Sequence, residues 1–167
     1  MLNRRKVLGW LSASISLGVG ARFLAGSTAT AGASEETFEV VRTAAEWKGM
    51  LTPQQFYVLR EHGTERPGSS PLNNEKRQGT FACAGCELPL FSSKTKYESG
   101  TGWPSFWQPL ERALGTREDR SLFFTRTEVH CRRCGGHLGH VFPDGPPPTG
   151  LRYCINGVAL SFIPETA

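Results

Sequence analysis

At 167 residues the chain has room for one domain with a sizeable core behind a short leader. Its excess of 19 Lys and Arg over 15 Asp and Glu is confined to the front: Arg4, Arg5, Lys6 and Arg22 fall in the first 33 residues with no acid among them, leaving 15 bases against 15 acids. Without a net positive field or a basic stripe, the main driving force for nucleic-acid binding is missing, and no nucleic-acid partner is expected.

The leader reads as a twin-arginine signal peptide over residues 1–33. Asn3 to Leu8 forms the charged n-region, Val7 to Ala21 a mildly apolar h-region diluted by Gly and Ser, and Ala29-Thr30-Ala31 or Ala31-Gly32-Ala33 the small-residue cleavage site. The apolar run is too short and too soft for a dependable membrane span, so export to the periplasm without stable membrane insertion after cleavage is expected; an uncleaved N-terminal anchor is the alternative. No cysteine follows closely to accept a lipid, the first being Cys83.

Residues 34–45 read as a linker with a short strand at Phe38 to Arg42, and residues 46–167 as the domain. Thr52-Pro53-Gln54-Gln55 has the composition of a helix start, with Thr as cap, Pro at the first helical position and Gln55 completing a capping box. That helix should run to about Glu61, bury Phe56 and Leu59, and stop at Gly63. Residues 64–79 are too polar and too rich in Pro and Gly for a core element and read as a surface loop. From Thr80 onward the pattern is β, in short apolar runs at 80–82, 90–91, 122–124, 127–129, 140–142, 151–155 and 158–163. Such runs separated by turns predict a small antiparallel β architecture.

Two C-x-x-C pairs, Cys83/Cys86 and Cys131/Cys134, stand 44 residues apart. Four thiolates offered from two β-turns are the donor set of a structural zinc, which accounts for all four cysteines at once. Two vicinal redox disulfides, an iron site, and a Cys131/Cys134/His137/His140 centre are the competing readings. Export favours oxidised thiols, but the twin-arginine route carries proteins already folded, so zinc can be loaded before export.

The fifth cysteine, Cys154, has no cysteine neighbour. Leu151, Tyr153 and Ile155 alternate with Arg152, Cys154 and Asn156, which places the latter three on one strand face. A guanidinium two residues away and the upstream imidazoles of His137 and His140 are a setting that lowers a thiol pKa and supplies protons, although a free cysteine is as commonly a buried small hydrophobe. Gly100 to Trp107 sets Trp103 beside Pro104 on a glycine-hinged turn, suited to a rigid apolar recognition wall as well as to a core.

The segments CAGCELPLF, SGTGWPSFW and RTEVHCRRCGGHLGHVFPDGPPPTGLRYCIN closely resemble the B-type methionine sulfoxide reductases, the peptide-methionine (R)-S-oxide reductases, from about Gln55 to Phe162. The resemblance implies a mainly β fold of two small antiparallel sheets with short flanking helices, and one structural Zn2+ on Cys83, Cys86, Cys131 and Cys134. It implies reduction of the R epimer of methionine sulfoxide in oxidised proteins or peptides, with a thioredoxin-like or other thiol as reductant, by a chain expected to be monomeric. Cys154 would be the nucleophile, His140 the proton donor with His137 assisting, Trp103 the contact to the substrate methyl, and Asn156 and Arg152 the groups that order and polarise the site. Many members carry a resolving cysteine where this chain has Thr101, so a sulfenic acid at Cys154 would need an external thiol or, as the less favoured route, a zinc cysteine released from its metal. Leu122-Phe123-Phe124 and Gly157 are smaller departures, at the substrate rim. A zinc-ribbon binding module with an inert Cys154, or a zinc hydrolase with an open metal position, are the readings from other classes.

Overall fold

Among the described residues, two threonines start the two α-helices. In α1, Ala44–Met50, the Thr43 side chain accepts from the Glu46 N–H while the Glu46 carboxylate accepts from the Thr43 N–H; Thr52 and Gln55 do the same for α2, Pro53–Glu61. α2 buries Phe56, Val58 and Leu59 and ends at His62, whose backbone turns left-handed at φ 56° one residue before Gly63. The structure, a computed structural model, describes residues 36–121 and 124–166. The expected signal peptide at 1–33 and two of the three residues of the expected strand at 122–124 lie outside the described residues, and Phe124 is not in a strand.

Helix α1 was not foreseen from periodicity, because seven residues with one buried side chain, Trp47, give no pattern to count; the Thr-x-x-Glu cap at 43–46 was the available signal. The strand expected at Phe38 to Arg42 does not form. That segment instead lies along the turn after Cys131, with the Val40 N–H donating to the Arg133 carbonyl at 3.0 Å and Phe38 meeting the His130 ring edge-on. A single such bond makes no ladder.

Among the described residues nine strands form two antiparallel sheets. β1 (Gly79–Cys83), β2 (Pro89–Ser92) and β9 (Leu160–Pro164) pair in the order β2-β1-β9. β3 (Lys96–Tyr97), β4 (Ser105–Phe106), β5 (Leu114–Asp119), β6 (Arg126–Cys131), β7 (His137–Phe142) and β8 (Arg152–Ile155) pair in the order β3-β4-β8-β7-β6-β5. The expected two-sheet architecture is therefore observed. The run read as a strand at 158–163 begins later, at Leu160, because Gly157–Ala159 is a 3-10 turn. Strand β5 was missed: its sequence LGTRED is an edge strand with little to bury, so it lacks an apolar alternation.

The sheets meet through rings. Phe81 and Phe91 of the smaller sheet stand at 5.0 and 4.2 Å from Phe106 of the larger, centroid to centroid, edge-on and stacked respectively, and all three are fully buried. Among the described residues no helix is long and apolar enough to cross a membrane.

Candidate active site and metal centre

The two C-x-x-C turns are built alike. In the first, the Cys83 N–H donates to the Leu88 carbonyl at 2.9 Å and the Glu87 N–H to the Cys83 carbonyl at 2.8 Å; in the second, Cys131 donates to Gly136 at 2.9 Å and Gly135 to Cys131 at 2.8 Å. Each turn closes on a left-handed residue directly after its second cysteine, Glu87 at φ 61° and Gly135 at φ 67°. Leu59 of α2 lies against Gly85 of one turn and Gly136 of the other, and Arg60 donates to the Cys134 carbonyl at 2.9 Å, so the helix holds the pair together.

All four sulfurs lie within 4.8 Å of one another, with Cys83 Sγ to Cys134 Sγ at 3.8 Å and Cys86 Sγ to Cys131 Sγ at 3.5 Å. A tetrahedral metal with bonds of about 2.3 Å to sulfur requires sulfurs about 3.8 Å apart, whereas a disulfide needs about 2.05 Å. The four cysteines are thus free thiols positioned to hold a metal, and the two vicinal disulfides weighed above are not formed. Hydrogen bonding among the sulfurs drives the Cys83 and Cys131 thiols up and Cys86 and Cys134 down. So crowded a set becomes four thiolates only around a cation.

Cys154 is elsewhere, on β8 in the middle of the larger sheet. Register places it directly opposite His140 on β7 and Ser105 on β4, and the row continues to Tyr97 on β3, Glu128 on β6 and Arg117 on β5. Cross-strand partners share a face, so one polar row, Tyr97–Ser105–Cys154–His140–Glu128–Arg117, crosses all six strands. Above it opens a cleft of about 120 Å³ lined by Thr64, Trp103, Arg126, His140, Phe142, Cys154 and Asn156.

The residues singled out in the sequence divide by depth. Trp103 lines the cleft, its indole N–H donating to the Glu65 carbonyl at 3.2 Å, while Phe106 of the same segment is core. Gly100 and Gly102, both left-handed at φ 71° and 90°, shape that loop. Asn156 is 3 % exposed and uses both ends of its amide: Oδ1 accepts from the Glu65 N–H at 2.9 Å and Nδ2 donates to the Leu138 carbonyl at 2.9 Å. His140 Nε2 lies 2.7 Å from Asp119 Oδ2. His137 is buried behind it, ring centroids 5.5 Å apart, with Nδ1 2.7 Å from Glu128 Oε1, and does not line the cleft. Glu128 also takes Arg117 on both oxygens and His62 at 3.1 Å, which makes this set an ion-pair hub.

Arg152 has partners besides the thiol. It binds Asp144 through two bonds of 2.9 and 2.8 Å and stacks over Phe142 at 4.4 Å, so its charge is shared. Burial consequently pushes the Cys154 thiol up, and the Thr101 hydroxyl and the Arg152 guanidinium only oppose that rise. Burial likewise holds the His140 imidazole below its ordinary value against the pull of Asp119.

Sequence reasoning missed Glu65, which sits in the loop read as surface but is 5 % exposed. Its carboxylate accepts from the Gly157 and Val158 N–H groups at 2.5 and 3.0 Å, and its backbone holds both Asn156 and Trp103. No periodic signal marks such a residue; burial of a lone acid is decided by the backbone donors it meets.

A solitary thiol at the floor of a small aromatic-walled cleft, set apart from a closed four-cysteine centre, defines a thiol-dependent enzyme site beside a structural-type metal site. Comparison with known proteins agrees. The SelR domain matches residues 51–164. The chain is 56% identical to the peptide methionine sulfoxide reductase MsrB of Pseudomonas putida over 128 residues, 76% of this chain and 96% of that protein. It is 52% identical to the MsrB of Agrobacterium fabrum over 127 residues, 75% of this chain and 94% of that one. Identity to the MsrB of Methanosarcina barkeri is 55% over 127 residues, 75% and 89%. The chain belongs to the SelR family, the B-type methionine sulfoxide reductases.

Proposed function

We propose that this protein reduces the R epimer of methionine sulfoxide in peptides and oxidised proteins, with Cys154 as nucleophile. The observation that carries the reading is Cys154 standing opposite His140 in register and lining one cleft with Trp103, Phe142 and His140. The Cys154 sulfur attacks the sulfoxide sulfur and forms an S–S bond while the thiol proton passes through His140 to the sulfoxide oxygen; transfer of that hydroxyl to the Cys154 sulfur then breaks both the substrate S–O bond and the new S–S bond, so the thioether leaves and Cys154 keeps the oxygen as a sulfenic acid. The raised thiol and lowered imidazole favour this neutral pair over a resting ion pair, so ionisation accompanies attack. Trp103 and Phe142 hold the methyl, Asn156 fixes the cleft floor, Arg152 favours negative charge on sulfur, and His137 backs His140.

The other four cysteines among the described residues are gathered in the metal-type cluster, and Thr101 Oγ1 is the group 3.9 Å from Cys154 Sγ. Two thiols of an external donor therefore return the sulfenic acid to thiol, releasing water and leaving the donor as a disulfide. A thioredoxin-like protein is the proposed donor. Cys83, Cys86, Cys131 and Cys134 hold one Zn2+, which supplies folding free energy and takes no part in turnover. The protein acts as a monomer, exported by the twin-arginine route to the periplasm, a reading that rests on the sequence of residues 1–33.

The test is dithiothreitol-supported reduction of a methionine sulfoxide peptide of defined configuration. Turnover of the R epimer and none of the S epimer is expected; equal rates, or turnover that requires an exchangeable metal, would overturn the reading.

A further inference from the structure

Three hydroxyls form an unbroken line beside the nucleophile. The Ser105 hydroxyl donates to the Trp103 carbonyl at 3.1 Å, Ser99 Oγ lies 2.7 Å from Ser105 Oγ, Thr101 Oγ1 lies 2.8 Å from Ser99 Oγ, and Cys154 Sγ lies 3.9 Å from Thr101 Oγ1. Each hydroxyl has a single hydrogen, so the direction of the line is determined by its ends. The Trp103 carbonyl can only accept. With the Ser105 hydrogen directed there, that of Ser99 goes to Ser105 and that of Thr101 to Ser99, which leaves the Thr101 oxygen as the acceptor for the Cys154 S–H. This arrangement suits a thiol.

Once Cys154 gives its proton to a base in the cleft, the sulfur too can only accept. The Thr101 hydrogen then turns to sulfur, that of Ser99 to Thr101 and that of Ser105 to Ser99, while the Trp103 carbonyl loses its donor. Three rotations about C–O bonds accomplish this, with no heavy atom displaced. The inner end of the line is well fixed: Ser105 is fully buried and paired in register between Tyr97 and Cys154.

We propose that Thr101, Ser99 and Ser105 form a reversible hydroxyl chain that follows the protonation of Cys154 and offsets the cost of burying its thiolate. Thr101 touches the reacting sulfur; Ser99 and Ser105 are positioning residues that act through it. The proposal rests on Cys154 being the nucleophile. The other titratable groups around that sulfur are Arg152 on its own strand, Asp144 before it, Tyr97 of β3, His140 of β7 and Arg126 at the cleft rim, and none of them belongs to the chain.

The test is the rate of iodoacetamide alkylation of Cys154 in the metal-loaded protein, followed from neutral to alkaline pH by the mass of the peptide that contains it. This readout needs no turnover, so its failure is distinct from failure of the reductase reading. Thr101→Val is expected to raise the midpoint by about one pH unit, the loss of one charge-assisted hydrogen bond. Ser99→Ala, which does not touch the sulfur, should raise it by roughly half as much, since polarisation along a chain is a fraction of the direct bond. Thr101→Ser should restore the wild-type midpoint. An unmoved midpoint in Thr101→Val overturns the proposal, as does a shift in Thr101→Val with none in Ser99→Ala, which would mean an isolated contact. Metal content and thermal melting certify each variant as folded, and Ser105→Ala reads the same chain from its other end.

Discussion

The knuckle pair and the cleft put cysteines into opposed settings within one small protein. At the knuckles, four sulfurs share one point, each turn closed by hydrogen bonds between residues four and five apart. In the cleft, one sulfur stands on a mid-sheet strand and its neighbours come from the loop at 64–65, the turn at 99–105 and strands β6 and β7. Crowding suits the four to a cation; isolation in a half-buried, hydrogen-bonded pocket suits the fifth to the nucleophile's role proposed for it. Cysteine chemistry here is set by what surrounds the thiol, and the two regions should be separable by mutation.

The largest effects should come from exchanging one cysteine in each region. Cys154→Ser should reduce R-sulfoxide turnover to background with metal content and melting temperature unchanged, whereas Cys134→Ser should lose the metal and with it on the order of 5 kcal/mol or more of folding stability, enough to unfold a marginal domain. Retained turnover in the first variant, or an unchanged melt in the second after chelation, would merge the two regions.

Glu65→Ala should fall between them. It strands the buried Gly157 N–H and the part-buried Val158 N–H, at about 1–3 kcal/mol, and loosens the loop that holds Asn156 and Trp103. Turnover should drop several-fold while bound metal, counted by a chromophoric chelator, stays at the wild-type level.

A pH titration sharpens the contrast at lower amplitude. Burial alone raises the Glu128 carboxyl, but its bonds from His137 and Arg117 hold it well below the usual carboxylate range; Ser121, then His140 and Arg126, do the same for Asp119. Groups with depressed folded-state pKa values stabilise fully above the unfolded value near 4 and lose that contribution as pH falls through the folded value. The sheet row should therefore weaken only in strong acid, and Glu128→Gln should flatten the acid limb of the melting-temperature profile. A limb of unchanged steepness would remove Glu128 from that role.

The smallest effect is expected at the first knuckle. Glu87 occupies the left-handed position that glycine fills in the second, and Glu87→Gly should stabilise by about 0.5–1 kcal/mol, the cost of a side chain there less the added freedom of the unfolded chain. A shift in denaturation midpoint at constant slope is the measure.

Local bonding explains what was legible in the chain before folding. Thr52 and Gln55 announced α2, both C-x-x-C turns announced the metal-type centre, and alternation around Cys154 announced β8, because in each case the interacting groups lie within a few residues of one another. Strand existence was readable where a longer apolar run is buried, as at Phe81 and Val129, and failed at the exposed edge strand β5 and at the two-residue strands β3 and β4, which are too short to show a period.

What only the tertiary structure decided is register and burial. Nothing in the chain states that Cys154 faces His140 across one strand boundary and Ser105 across the other, since a slip of one residue would turn each side chain to the opposite face. Nor does it state that Glu65 is buried against Gly157, that the turn before β8 brings Asp144 back onto Arg152, or that a line of hydroxyls ends at Cys154; these follow from how loops fold back onto the sheet. The amino-acid order by itself determined which residues could bind metal and which could attack; sheet pairing determined what each of them touches, because burial and hydrogen-bond partners exist only once the strands are side by side.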